Sequence, residues 1–217
     1  VIITRTTVGP FRENAYLVVD EESRRAVYID PGDEAPRLLA ALERSGATLE
    51  AIWLTHAHID HIGAIAGIRR VHDVPVHLHP LDEPVYGHGE QVARLYGVPF
   101  EVPPPPDVAL REGQEIRIGG RTRFRVMHVP GHAPGHVMFV GDDVVFGGDL
   151  LFAGSIGRTD LPWCDPAAMQ DSLARAAALP EALAVHPGHG AATTIGGELR
   201  GNPFLSGVAR VLHSNAP

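Results

Sequence analysis

The chain has 217 residues, 44% of them hydrophobic, which is enough for one domain with a substantial core. Eighteen basic residues against 26 acidic ones leave a formal charge of −8, which argues against nucleic acid or an anionic membrane as the default partner. A single cysteine, Cys164, rules out an intrachain disulfide, and no apolar run approaches the ~20 residues of a membrane span.

The N-terminal residues show no basic segment followed by an apolar core, so no export signal is read and a soluble cytoplasmic protein is expected. Residues 1–30 read as β, with apolar runs over 16–19 and 26–29 around a polar turn at 20–23. Asp30-Pro31-Gly32 ends the second run. A helix follows over 34–44, with Leu38, Leu39 and Leu42 as its apolar stripe and Gly46 as its stop. Then come a strand over 51–54 and a second helix over 62–71. A strand is expected over 75–79 and a helix around 90–96. Pro103 to Pro106 form a stiff connecting loop. From residue 115 the pattern is β again, over 115–118 and 124–127, with a hairpin of 137–140 and 144–146 around Gly141-Asp142-Asp143. A helix over 166–178 precedes a short strand over 182–185. Two mixed sheets packed face to face, with helices on the outer faces, satisfy this order within one domain spanning 1–217.

The unusual count is 13 histidines. Three histidines and an aspartate crowd into Thr55-His56-Ala57-His58-Ile59-Asp60-His61, directly after an apolar strand. Residues two apart in extended backbone point the same way, so His56 and His58 can converge on one ion, while Asp60 and His61 at the following turn can face a second. Three later segments share this character, each a polar residue beside glycine at a strand end. They are Pro130-Gly131-His132-Ala133-Pro134-Gly135-His136, Gly147-Gly148-Asp149 and Pro187-Gly188-His189-Gly190. Together the segments supply His56, His58, Asp60, His61, His132, Asp149 and His189, the donor types that borderline divalent metals take.

On these motifs the chain resembles the metallo-β-lactamase-fold superfamily, and in particular its small glyoxalase II-like branch. The superfamily's His-x-His-x-Asp-His stands here as His56, His58, Asp60 and His61, and Asn14-Ala15-Tyr16, Asp30-Pro31-Gly32, Gly157-Arg158-Thr159-Asp160 and Asn202-Pro203-Phe204-Leu205 add to the likeness. The resemblance implies an αββα sandwich. It also implies two metal ions, zinc ahead of iron or manganese. His56, His58 and His132 would hold one ion; Asp60, His61 and His189 would hold the other, with Asp149 spanning both. It further implies hydrolysis of a small thioester or ester by a hydroxide shared between the ions, with Asp60 and Asp149 as the catalytic carboxylates. A homo-oligomer is left open.

Asp30 reads equally as a brace for a ligand imidazole or as a plain turn residue. His136 reads either as a residue supporting the ligands or as a loop residue, with the loop favoured; His128 and His186 are expected to be structural, and His72, His77, His79, His88 and His213 structural or on the surface. Arg158 is expected to pair with Asp160. About 28 residues follow His189, too few for the C-terminal helical region of glyoxalase II, and Pro-Gly-His-Gly replaces the usual His-Glu-Tyr around the last ligand. The alternative enzyme is a persulfide dioxygenase-like protein with one iron on His56, His132 and Asp149. The non-enzyme alternative is a metal-binding or interaction protein on the same scaffold.

Overall fold

The computed structural model describes residues 1–211; His213 lies outside them. Strands β1 (Ile2–Val8), β2 (Glu13–Val19) and β3 (Arg25–Ile29) lead into helix α1 (Ala35–Ser45) and β4 (Thr48–Trp53). Short helices α2 (Ile59–Ile62) and α3 (Ile65–Arg69), strand β5 (Val76–Leu78), helices α4 (Glu83–Gly87) and α5 (Gly89–Tyr96) and the two-residue β6 (Val108–Ala109) complete the first half. The second half holds β7 (Glu115–Ile118), β8 (Thr122–His128), β9 (Val137–Val140) and β10 (Val144–Gly148), then the small hairpin β11 (Leu151–Phe152) and β12 (Ser155–Ile156). Helix α6 (Pro166–Ala177), strands β13 (Ala184–Pro187) and β14 (Thr193–Thr194) and helix α7 (Ile195–Gly201) close it.

The strands form two six-stranded mixed sheets, ordered β1-β2-β3-β4-β5-β6 and β14-β13-β10-β9-β8-β7. In the first, β1 to β3 are antiparallel and β3 to β6 parallel. In the second, only the β10–β13 pair is parallel. The two-residue period of a strand divides the core into layers. On β2, Tyr16 and Val18 face the other sheet, while Leu17 and Val19 pack beneath Leu38 and Leu42 of α1. The inter-sheet layer is centred on Trp53, whose ring lies 5.4 Å from Phe139 and 5.8 Å from Phe124. Met169, Leu173 and Ala176 of α6 cover the far face of the second sheet. The fold is therefore the expected αββα sandwich.

Two expected elements differ. The helix over 62–71 is broken in two at Gly63. A Cβ there would stand 2.4 Å from the Gly32 carbonyl, and the next amide, Ala64 N–H, bonds the Pro31 carbonyl at 3.0 Å. The Asp30-Pro31-Gly32 turn thus occupies the space that a continuous helix would need. The last strand begins two residues later than expected, at Ala184, because Leu183 N–H closes a turn onto the Pro180 carbonyl.

Trp53 is fully buried one residue before the chain turns toward the histidine cluster. Trp53→Ala is expected to cost about 3–5 kcal/mol, read as a lowered denaturation midpoint at unchanged m-value; a loss under ~1 kcal/mol would show that the inter-sheet layer is not packed around this ring.

Candidate metal centre

The ligand-type residues sit on loops at one end of both sheets. His56 and His58 follow β4, and Asp60 and His61 form the first turn of α2. His132 lies between β8 and β9, Asp149 directly follows β10, and His189 follows β13. Gly188 allows the closest approach: a Cβ there would stand 2.2 Å from Asp149 Oδ1 and 2.8 Å from His61 Cε1. Gly131, at φ +140°, lets the His132 loop lie on the backbone of Met169.

All seven residues come together. His56, His58 and His132 present three nitrogens within 4.8 Å of one another, and Asp60, His61 and His189 form a second such group. His58 Nδ1 is 2.9 Å from His132 Nε2, and His189 Nε2 is 3.2 Å from Asp60 Oδ2. Asp149 joins the groups. Its Oδ2 lies 3.5 Å from His132 Nε2 and 3.4 Å from His189 Nε2, and its Oδ1 lies 3.6 Å from His61 Nε2. Donors placed tetrahedrally at 2.0–2.1 Å from an ion stand roughly 3.3 Å apart, so this spacing fits divalent metal. His56 Nε2, His61 Nε2 and Asp149 Oδ1 are buried without a hydrogen-bond partner, lone pairs that an ion would satisfy.

The two groups differ electrostatically. Burial, with the crowding of His61, His58 and His132, holds His56 well below the usual imidazole range. Burial and His132 bring His58 down to about 3, and burial lowers His132 as well. These three are neutral donors, the form that binds metal. In the second group burial also disfavours charge, but the carboxylates outweigh it. Asp149 and Asp60 hold His61 well above its usual value, and hydrogen bonds to Asp149 and Asp60 raise His189 to about 9. Burial would raise Asp149, yet His61 and His189 keep it well below the carboxylate range. This half is built to hold positive charge.

Outer partners orient the donors. Asp30, at φ +49°, accepts Thr55 N–H at 2.7 Å and Thr55 Oγ1–H at 2.6 Å, and lies 3.1 Å from His61 Nδ1. His56 Nδ1 meets the same Thr55 hydroxyl at 3.0 Å, so its Nε2 is turned into the site. One carboxylate therefore braces two imidazoles, and the brace reading of Asp30 replaces the plain turn. His132 Nδ1 meets the Arg158 carbonyl at 2.8 Å, which leaves Nε2 for the site.

His136 corrects its expected part as a mere loop residue. It is fully buried, and its Nε2 accepts Asp149 N–H at 2.9 Å, fixing the chain at Asp149. Asp82, for which the sequence offered no signal, accepts Ala57 N–H at 2.8 Å and Gly135 N–H at 2.5 Å, tying the two histidine loops together. Asn14 and Tyr16 of β2 do the same for the His189 loop, donating to the Pro187 carbonyl at 3.1 and 2.7 Å. Glu13 lies fully buried behind the carboxylate group. Burial raises its carboxyl well above the usual range.

The remaining histidines stand apart from the donors. His186 stacks on Phe146, with ring centres 5.4 Å apart, and His128 stacks on His79 at 4.2 Å. His77 lies beside Trp53, and His88 meets the edge of Trp163. Arg158 and Asp160 form the expected pair, with two contacts at 2.8 and 2.9 Å. The half-buried Cys164 gives its thiol to the His132 carbonyl, a structural role. A cavity of about 380 Å³ opens onto His58, Asp60, His132, Asp149 and His189, and among the described residues no serine, threonine or cysteine lines it. Among the described residues no helix is long and apolar enough to cross a membrane.

The model of the metallo-beta-lactamase superfamily matches residues 8–189, a span that holds every one of these donors. Hydroxyacylglutathione hydrolase GloC of Haemophilus influenzae is 36% identical over 205 residues, covering 92% of this chain and 95% of its own. TTHA1623, solved in a di-iron-bound form, aligns at 50% identity with a TM-score of 0.86, covering 93% of this chain and 100% of that one. ETHE1 from Myxococcus xanthus aligns at 29% identity with a TM-score of 0.80, covering 95% and 85%. The superfamily match over most of the length, on the sandwich and donor loops described above, shows that this chain belongs to the metallo-β-lactamase superfamily.

Proposed function

We propose that the protein is a metal-dependent hydrolase of thioester or ester bonds, a thioesterase of the hydroxyacylglutathione hydrolase type, working with two divalent ions. The observation that carries this reading is the pair of three-residue donor groups joined through Asp149. His56, His58 and His132 would hold one ion, and Asp60, His61 and His189 the other. When bound, the ions polarise a carbonyl and bring the pKa of water toward neutrality. A nucleophile other than a side chain suits a cavity with no serine, threonine or cysteine on its wall among the described residues. Asp60 and Asp149 set the charge: two carboxylates against two dications leave a net positive site, favourable to an oxyanion on the substrate. The likeness to GloC supports the thioester bond.

Zinc is the first choice of metal, and the di-iron form of TTHA1623 supports iron as the alternative. The single-iron arrangement on His56, His132 and Asp149 would leave Asp60, His61 and His189 without a task, although the three converge as closely as the first group.

Anaerobic metal analysis, paired with assays on lactoylglutathione and on glutathione persulfide, tests the reading. Two metals per chain with thiol release and no oxygen uptake are expected. One iron with oxygen uptake from the persulfide would overturn it. Asp149→Asn should lower kcat/KM by more than the ~10–100-fold that losing an outer hydrogen-bonding partner costs, with the fold retained by circular dichroism; unchanged turnover would remove Asp149 from the chemistry. Asp30→Ala should weaken metal binding by about 10–100-fold in competition with a chelator, and affinity equal to that of the parent would show that the brace on His56 and His61 is dispensable.

A further inference from the structure

The cavity over the donors has one chemical character away from them. Val92, Leu95 and Tyr96 of α5 form one wall, and Leu161, Pro162 and Trp163 form another. The rim is apolar like the walls: Leu95 is 82% exposed, Tyr96 49% and Trp163 44%, where large apolar groups normally avoid water. Phe11 stands edge-on to Tyr96 at 5.4 Å and carries the surface across the mouth.

Charge is scarce on the same walls. The chain has no lysine; all 18 of its basic residues are arginines. Among the described residues, Arg158 is the one arginine lining the cavity, and its Nε and Nη2 are engaged side by side by the Asp160 carboxylate. On α5 the neighbouring Arg94 is held by Glu90 at 2.6 Å. A glutathione moiety brings two carboxylates and an ammonium, and beyond the metal donors it would find a hydrophobic wall and a cation already paired. Burying such charges without partners is costly.

Resting on the hydrolase reading above, we infer that the preferred substrate is a thioester whose recognition half is apolar, an alkyl or aryl group seated between α5 and the segment 161–163, rather than a glutathione conjugate. In the reaction the acyl C–S bond breaks. Water gives its hydroxyl to the acyl carbon and a proton to the leaving sulfur. The ~380 Å³ volume falls within the range of small-ligand sites and suits a medium-length chain or one ring system.

The test uses metal-loaded protein and thioesters of one small neutral thiol, from acetyl to decanoyl with phenylacetyl added, assayed by thiol release beside lactoylglutathione. Uncleavable thioethers of the same alkyl groups are titrated in parallel, read by the fluorescence of Trp163 at the mouth. The expectation is that kcat/KM rises about threefold to fourfold per added methylene until the cavity is filled, and that the thioether Kd falls in step. Leu95→Asp, a change at an exposed position, should flatten both series. Rates and affinities independent of chain length, or lactoylglutathione outrunning the best apolar thioester by tenfold, would overturn the inference and leave the hydrolase reading intact. If no thioester is cleaved while thioether affinity still climbs with chain length, the hydrolase reading fails and the apolar specificity stands.

Discussion

Seven lone-pair-bearing side chains meet where two sheets abut, and they arrive on four separate loops. Loops alone would not hold such a convergence, since each could relax away from the crowded charges. Polar contacts across the seam prevent it. Asp30 reaches from the end of β3 to Thr55 and His61, Asp82 binds the backbone of both histidine loops, and His136 takes the amide of Asp149. Tyr16 and Asn14 hold the last loop to the first sheet. Each of these groups is buried, so each bond is costly to leave unmade. The site's geometry is therefore a property of the sandwich as a whole.

The same seam sorts charge. Imidazoles crowd one side and stay neutral because burial and their neighbours disfavour protonation. Carboxylates collect on the other, raise His61 and His189 and make that side favourable to positive charge. A nitrogen-rich pocket next to an oxygen-rich one, sharing Asp149, is a natural seat for two cations of similar chemistry. Above it the walls become apolar and carry almost none of the charge that the floor concentrates.

Much of this was legible in the sequence. The strand before His56 and the glycine-flanked loops around His132, Asp149 and His189 announced the converging residues through residue type and local punctuation. The layered architecture followed from element order. What stayed hidden depends on contacts distant in sequence. Asp82 looks like any acid opening a short helix until its carboxylate is seen on Ala57 and Gly135. His136 shares a Gly/Pro loop with His132, and nothing local tells a ligand from a brace; only burial against Asp149 does. The continuous helix expected over 62–71 failed because the Pro31 and Gly32 carbonyls fill the groove at residue 63, an obstruction set by another part of the chain. The apolar mouth was equally hidden, since Phe11, Tyr96 and Trp163 come from three distant segments.

The proposed function depends on Asp149 joining two metal positions in one site. X-ray absorption spectroscopy of the fully loaded protein tests it most directly. A metal–metal vector is expected at about 3.5–4 Å, with a shell of imidazole nitrogen and carboxylate oxygen at ~2.0–2.2 Å. A well-resolved first shell with no metal–metal vector, at a loading of two ions per chain, would contradict it.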